Sequence, residues 1–152
     1  MIVEFAQTRP NAFEPQRANP SDAGLDVFYS PEQEDQAICI EPSESKVIPT
    51  GLRFGVPHGY MLEVKNRSSV AAKRSLIVGA CVVDSGYDGE VFVNLHNIGK
   101  ETQYVRSGDK IAQLVMIPVV NFRATQSTSG DLYRNPITIS DRGDGALGST
   151  DG

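Results

Sequence analysis

Short runs in which hydrophobic and polar residues alternate recur along the chain and predict an all-β protein. The run from Val91 to His96 is the clearest, because Val91, Val93 and Leu95 face one side of an extended strand while Phe92 and His96 face the other. Helical periodicity is almost absent, and Gly, Pro, Asn and Ser separate the runs. This arrangement is typical of a sandwich or barrel of short strands.

The segment 68–74 differs from the rest and predicts a short helix, with a Ser available as its N-cap. The run 111–120 is nearly all apolar, which predicts a strand buried on both faces with Gln113 as its one polar member. The predicted strands are residues 1–7, 24–29, 36–41, 45–52, 60–65, 76–78, 82–83, 90–97, 102–105 and 110–121.

The chain is predicted to form one domain over residues 1–152, because its loops are short. The loops at 10–22 and 31–35 are too short to link domains. From residue 124 onward the composition shifts to Ser, Thr, Gly, Asp and Arg, and the last part cannot fill a core. Residues 137–152 are therefore expected to form a flexible tail that can order over a ligand.

Composition narrows the classes of function. With 152 residues, 39% hydrophobic residues and a net charge of −5, the chain has no basic excess for a nucleic-acid footprint. A small anionic ligand needs only a few local cations and stays possible. Cys39 and Cys81 lack metal-binding spacing and are expected to be reduced. Without a signal peptide or a membrane-spanning run, we expect a soluble intracellular protein, cytoplasmic or nuclear.

Residues 80–90 hold the first candidate chemistry. An apolar strand leads to Asp84, a Gly-flanked turn carries Tyr87, and an alternating strand follows, so a hairpin presenting both side chains is predicted. Taken alone, Asp-Ser-Gly is also ordinary turn chemistry.

Four other segments contain residues suited to an anionic ligand. Asp26 follows Gly24 at a strand entrance, and Gln113 is the lone amide of the buried strand. A phosphate would be favoured at the start of the predicted helix, whose residues include a cation and two hydroxyls. Each segment alone also fits a structural role, as a turn, a helix cap, a satisfied buried amide or a disordered terminus. The remaining candidates are Arg67, Ser68 and Ser69 near the helix and Arg142, Ser149 and Thr150 among glycines near the C-terminus.

Together and in this order, the five segments resemble the five motifs of the trimeric dUTPase family. The matching residues are 22–27, 66–71, 80–90, 108–114 and 142–150. The resemblance implies a jelly-roll or distorted β-barrel protomer and a homotrimer with active sites shared between subunits. It also implies Mg²⁺-dependent hydrolysis of dUTP to dUMP and pyrophosphate, which limits uracil in DNA and supplies dUMP for dTMP synthesis. No nucleic-acid or membrane partner is implied.

The resemblance also implies a role for each matching residue. Asp84 would activate the attacking water and contact the 3′-hydroxyl, and Tyr87 would lie beneath the sugar and exclude a 2′-hydroxyl. Asp26 would hold water on the magnesium ion. The other implied substrate contacts are Arg67, Ser68, Ser69 and Gln113 at the phosphates, Cys81 and Val83 near the base, and Arg142, Leu147, Gly148, Ser149 and Thr150 in the closing tail.

Three positions depart from the family pattern. Asn66 stands where Pro is usual, Cys81 where Gly is common, and Leu147 where an aromatic residue normally covers the base. Aromatic stacking is worth about 1–3 kcal/mol per base in single-strand binding proteins, and Leu gives it up. These departures bear on base selectivity more than on the phosphoryl chemistry.

Three alternative functions remain open, and the departures at Cys81 and Leu147 raise the first, a dUTPase-related hydrolase with altered base selectivity. The related dCTP deaminases share the fold and similar motifs, but they place a catalytic Glu where this chain has Asn94. Asn cannot shuttle a proton as a carboxylate can, which argues against deamination. A catalytically idle, regulatory trimer is the third alternative, and the intact set Asp84, Tyr87, Arg67 and Arg142 argues against it.

Overall fold

The alternating segments form short antiparallel strands in the computed structural model, which describes residues 1–34, 36–134 and 143–145. One helix, α1, lies within that part of the chain and spans Ser68–Arg74. The strands are β1 Phe5–Gln7, β2 Leu25–Phe28, β3 Ile38–Ile40, β4 Ser45–Pro49, β5 Leu52–Phe54, β6 Tyr60–Lys65, β7 Leu76–Val78, β8 Val82–Val83, β9 Phe92–Asn97, β10 Gln103–Val105 and β11 Lys110–Pro118.

Strand β11 organises the largest sheet, whose order is β2-β11-β6-β8. Its Gln113 lies opposite Asp26 of β2 on one side and opposite Lys65 of β6 on the other. A three-stranded sheet has the order β4-β9-β7, and β1 with β5 and β10 with β3 form two-stranded sheets. The register at Gln113 brings the first, second and fourth motifs together.

The alternation of β9 sets the core side of its sheet, as predicted. Val91, Val93 and Leu95 are buried, whereas Phe92 is 47% exposed. Burying a Val or Leu side chain fully contributes about 1.5–3 kcal/mol, so these three positions fix which face of β9 turns inward. The all-β prediction is confirmed, and the fold is jelly-roll-like, although the sheets within the described residues do not close into a barrel.

A turn at Gly51 interrupts the strand predicted over residues 45–52. Gly51 has φ +70°, a left-handed conformation that favours glycine. A Cβ there would also lie 2.5 Å from the Ala12 side chain. The chain therefore leaves β4 at Pro49 and begins β5 at Leu52.

Three local predictions were wrong. The N-cap of α1 is Arg67, in an extended conformation and without a side-chain cap hydrogen bond, rather than a Ser. Residues 80–90 do not form a hairpin, because β8 pairs with β6 while β9 pairs with β4 and β7. Gln113 is half-buried rather than buried, because it lines a cavity instead of packing into the core.

Tyr29, which follows β2, is buried beneath the loop that precedes β3. Its hydroxyl donates a hydrogen bond to the Gln36 carbonyl at 2.6 Å. Burial raises the pKa of Tyr29, and the nearby Arg9 guanidinium opposes part of that rise.

The chain divides into two units, Met1–Asn121 and one that begins at Phe122. In its described part, Ser127 Oγ donates to the Asp131 carbonyl at 2.9 Å, and the Asp131 N–H donates to Ser129 Oγ at 3.2 Å. The predicted tail, 137–152, falls outside the described residues except for 143–145. Among the described residues no helix combines the length and the apolar character needed to cross a bilayer.

Candidate active site

Asp84 and Tyr87 lie beside a cavity of about 250 Å³, which we call the Asp84 cavity. It is bordered by β6, by β8 and by the segment that leads into β9. Most of its wall is apolar, while Asp84 is exposed and reachable by water. Such a wall suits a base or sugar. The lining residues are Val64, Ala80, Val82, Val83, Asp84, Tyr87, Glu90, Val91 and Phe92.

A tight turn fixes Tyr87 next to Asp84. The Tyr87 N–H donates to the Asp84 carbonyl at 3.2 Å, and Gly86 between them has φ +85°. The Tyr87 hydroxyl donates to the Glu90 carbonyl at 2.7 Å. A Cβ on Gly89 would lie 2.5 Å from that hydroxyl, so Gly89 provides the room for the ring to fold against the turn.

A second, more polar cavity of about 290 Å³ lies around Asp26, and we call it the Asp26 cavity. It is bordered by the loop before β2, by the start of α1 and by β11. Among the described residues none lines both cavities. The residues lining the Asp26 cavity are Ala18, Asp22, Ala23, Gly24, Asp26, Arg67, Ser68 and Gln113.

Two cations flank the Asp26 carboxylate, which is buried. Arg67 Nε donates to Asp26 Oδ1 at 3.0 Å, and Lys110 Nζ lies 3.5 Å from Oδ2. Buried carboxylates need such partners because an uncompensated charge is strongly disfavoured away from water. Asp22 lines the same cavity, so the two carboxylates balance the two cations, and an anionic ligand would be bound through the N–H donors of Arg67 rather than through a net positive charge.

Gln113 connects the fourth motif to the second. Its Nε2 donates to the Asn66 carbonyl at 2.8 Å, and a Cβ on Gly24 would lie 1.8 Å from its Oε1. Gly24 is therefore required for Gln113 to lie where it does. The amide keeps acceptor and donor capacity toward the cavity that it lines.

Asn66, which departs from the usual Pro, fixes the segment between β6 and α1. Its Oδ1 accepts a hydrogen bond from the Val78 N–H at 2.8 Å. Pro could not make this contact. Because β7 ends at Val78 and leads into residues 80–90, Asn66 ties the second motif to the third.

Asn66→Ala is expected to lower the free energy of unfolding by about 1 kcal/mol, the usual net worth of one hydrogen bond. Urea unfolding measures the change. Asn66→Asp retains an acceptor oxygen and is the matched control, expected to keep most of the stability. Equal losses in both variants would contradict the assignment of the Oδ1 contact.

The other predicted residues differ in position. Ser68 and Val83 line the Asp26 and Asp84 cavities respectively, and Ser69 is exposed in the first turn of α1. The Cys81 side chain packs against the core, and its carbonyl accepts from the Val64 N–H at 2.7 Å. The predicted residues outside the described part of the chain are Arg142, Leu147, Gly148, Ser149 and Thr150.

Three residues at or beside these cavities were not singled out from the sequence. Lys110 pairs with Asp26, Asp22 lines the same cavity, and Glu90 lines the Asp84 cavity. Lys110 and Glu90 lie inside the fourth and third motifs, and this position was the one sign in the sequence that they could belong to the site. Lys110 pairs with Asp26 and Glu90 with Arg9, and because these partners are distant in the sequence, the contacts could not be predicted from it.

The Asp26 cavity fits Mg²⁺ held through water. The described residues contain no group of three or more His, Cys, Asp or Glu side chains placed to ligate a metal directly. Mg²⁺ keeps several waters and binds through one or two carboxylates plus substrate phosphates. The carboxylates of Asp26 and Asp22, on the same cavity, meet that requirement.

Comparison with known proteins gives concordant matches. A family model described as dUTPase matches residues 11–150. The deoxyuridine 5'-triphosphate nucleotidohydrolase of Chlamydia trachomatis serovar D is 35% identical over 150 residues, covering 96% of each chain. The dUTPase of Staphylococcus bacteriophage 80alpha, solved with dUPNHPP, has a TM-score of 0.78 at 25% identity and covers 98% of both chains.

A second solved structure is a mutant dUTPase from phage phi11 of S. aureus that reveals the coordination of a structural Mg(II) ion. It has a TM-score of 0.75 at 25% identity and covers 84% of this chain and 97% of that chain. The family model and the bacterial relative both span nearly all of the sequence, and the two phage structures share its fold. The chain therefore belongs to the dUTPase family.

Proposed function

We propose that this protein hydrolyses dUTP to dUMP and pyrophosphate. Besides family membership, the observation that best supports this is the pairing of two cavities with different chemistry. The Asp84 cavity joins an apolar wall to a carboxylate and a tyrosine, which suits a deoxynucleoside next to a water to be activated. The Asp26 cavity offers a guanidinium, a hydroxyl and an amide, which suit a triphosphate.

In the proposed reaction Asp84 is the general base. Its carboxylate takes a proton from a water molecule as the water oxygen forms a bond to the α-phosphorus. The bond from that phosphorus to the oxygen bridging to the β-phosphate breaks, and pyrophosphate leaves with the electron pair. Asp84 is exposed on the cavity, so water can reach it. The reaction requires that water to be placed in line with the leaving group.

Arg67, Ser68, Ser69 and Gln113 are proposed to bind the phosphates. Arg67 can offer a planar fork of N–H donors, and the Gln113 amide can orient one oxygen. Donors held in place before the reaction stabilise the charge that develops on leaving pyrophosphate. Because Arg67 now donates to Asp26, substrate binding would share that guanidinium between the carboxylate and the phosphates.

Asp26 is proposed to hold Mg²⁺ through water. When bound, Mg²⁺ neutralises phosphate charge and stabilises the leaving group. Lys110 keeps Asp26 paired on its other oxygen, so the carboxylate stays oriented while Arg67 turns to substrate.

The proposal includes a homotrimer with shared active sites, closed by residues 137–152. In the part of the chain that the structure describes, the two cavities share no lining residue, which suits a site completed by another copy. Exposed apolar side chains such as Val47, at 60%, and Phe92, at 47%, are available for burial in such an assembly. In the tail, Arg142, Ser149 and Thr150 would reach the γ-phosphate, and Leu147 with Gly148 would cover the base.

Deamination is not favoured. At the position of the deaminase acid, Asn94 Oδ1 accepts from the Ala80 N–H at 3.3 Å and contacts His96 Nε2 at 3.0 Å. The amide therefore supports the backbone at the start of the third motif and offers no proton-transfer group.

A nucleotide panel tests the proposed function. Purified protein with Mg²⁺ is given dUTP, dTTP, dCTP or UTP, and pyrophosphate and ammonia are measured. We expect pyrophosphate from dUTP at a kcat/KM at least about tenfold above the other nucleotides, because a difference of one small group between substrates is worth about 10–200-fold in discrimination. Chelation of Mg²⁺ with EDTA should stop the reaction. No pyrophosphate from any nucleotide refutes hydrolysis, and ammonia from dCTP supports deamination.

A further inference from the structure

We propose that Glu90 and Arg9 are positioning residues for Tyr87 and set how strictly the site rejects ribonucleotides. The inference rests on the proposed function, in which Tyr87 lies beneath the sugar and leaves no room for a 2′-hydroxyl. Arg9 lies outside the five motifs, and it reaches the site through Glu90.

The Glu90 carboxylate is surrounded by donors from the end of β1 and the start of β5. Its Oε1 accepts from Thr8 Oγ1 at 2.8 Å and from Arg9 Nη1 at 3.0 Å. Its Oε2 accepts from the Gly51 N–H at 3.3 Å and from Arg9 Nη2 at 3.4 Å. Each oxygen therefore has two donors, and the Glu90 side chain is held at 13% exposure.

Arg9 is anchored as firmly as its partner. Its side chain is 14% exposed, and Nη2 also donates to the Ser30 carbonyl. The preceding residue, Thr8, donates its N–H to the Gly51 carbonyl at 2.7 Å, which fixes the backbone on which Arg9 stands. A pair this well covered is screened little by salt, so the attraction between its charges is largely retained.

The backbone carbonyl of Glu90 holds the Tyr87 side chain in place. The Glu90 carbonyl accepts the Tyr87 hydroxyl at 2.7 Å, and the ring folds over Gly89. Because Tyr87 is 45% exposed, packing alone leaves much of the ring unsupported, and the hydroxyl contact sets its tilt. A continuous chain of contacts thus runs from Arg9 through Glu90 to Tyr87.

Glu90 acts through Tyr87 rather than on the substrate itself. Although Glu90 lines the Asp84 cavity, both carboxylate oxygens are already engaged by protein donors. A substitution that moves the Glu90 carboxylate would also move the Glu90 carbonyl, which accepts the hydrogen bond from the Tyr87 hydroxyl. The expected effect is therefore on sugar discrimination.

The same loop contains a matched control. Asp88 accepts from Arg53 Nη1, but these side chains are 85% and 44% exposed. Exposed ion pairs contribute little, with typical values of about 0–1 kcal/mol. Asp88→Asn thus removes an acidic charge two residues from Glu90 without disturbing the anchor.

The test compares kcat/KM for dUTP with kcat/KM for UTP in wild type, Glu90→Gln, Asp88→Asn and Tyr87→Ala. Gln has almost the shape of Glu, but whichever way its amide turns, the NH₂ group faces two donors. We expect Glu90→Gln to lower the dUTP-to-UTP ratio by about tenfold, the lower end of what one steric contact contributes to discrimination. Asp88→Asn should keep the wild-type ratio.

A double-mutant cycle with Tyr87→Phe separates positioning from general destabilisation. Tyr87→Phe keeps the ring and loses the contact with the Glu90 carbonyl, so it should lower the ratio as Glu90→Gln does. If Glu90 acts through the tyrosine, the double variant should match the single variants instead of multiplying their effects. Multiplying effects would overturn the inference.

Arg9→Lys keeps the inference testable if Glu90→Gln does not fold. Lysine retains the charge but cannot span both carboxylate oxygens, so the ratio should again fall. Suppose that Tyr87→Ala lowers the dUTP-to-UTP ratio but folded Glu90→Gln or folded Arg9→Lys leaves it unchanged. That result overturns the inference and leaves the proposed function standing. Failure of wild type to hydrolyse dUTP refutes the proposed function instead. Undiminished rejection of UTP by Tyr87→Ala would show that the sugar is read elsewhere, which overturns the inference and leaves dUTP hydrolysis standing.

Discussion

Asp84→Asn is expected to lower kcat for dUTP by about 10²–10⁴-fold, the usual contribution of a positioned general base. Asn has nearly the size of Asp but cannot take a proton from water. Because Asp84 is exposed, the substitution leaves no buried group unpaired and should preserve the fold. Binding of dUTP with Mg²⁺ should change little. Quenched-flow measurement of dUMP formation gives kcat, and calorimetric titration of both proteins with a non-hydrolysable dUTP analogue and Mg²⁺ gives the affinity.

The Asp88→Asn variant is the control for this experiment. Asp88 lies in the same turn and is exposed, but it does not line the Asp84 cavity. Its kcat should stay within a small factor of the wild-type value. If Asp84→Asn turns over at a near wild-type rate, another group activates the water. If it loses affinity and rate together, Asp84 serves mainly to bind substrate.

The sequence was sufficient where local pattern decides structure. The inward positions Val91, Val93 and Leu95 follow from a period of two. The contact between Asp26 and Gln113 does not follow from a local pattern, because it depends on the register in which β2 pairs with β11. Resemblance to a family grouped those two residues before any register was known.

Sequence reasoning failed where a distant segment decides the outcome. Residues 80–90 have the local features of a hairpin, but β8 finds a better partner in β6 and β9 in β4 and β7. The Arg9 and Glu90 side chains are 81 residues apart in the sequence. Neither periodicity nor motif spacing carries information on such a contact. The Ser N-cap was wrong because local capping preference does not fix where a short helix begins.

The second large effect is expected for Arg67→Gln, which should lower kcat for dUTP by about 10²–10³-fold, as removal of one preorganised donor does elsewhere. The same change withdraws a partner from buried Asp26, with Lys110 remaining at 3.5 Å. The free energy of unfolding should therefore fall by about 1–3 kcal/mol. Steady-state pyrophosphate release and urea unfolding measure the two effects separately.

Two further variants separate catalysis from stability. Asp26→Asn combined with Arg67→Gln removes the buried charge and should recover stability without recovering activity. Arg74→Gln is matched in exposure, 27% against 25% for Arg67, and lies at the opposite end of α1. The Arg74 guanidinium donates to Gln103 Oε1 and the Tyr104 carbonyl and pairs with Asp109 Oδ2 at 3.5 Å. None of these partners lines either cavity, so the Arg74→Gln variant should lose stability and keep activity. Equal losses of activity in Arg67→Gln and Arg74→Gln would mean that Arg67 supports the fold and does not bind phosphate.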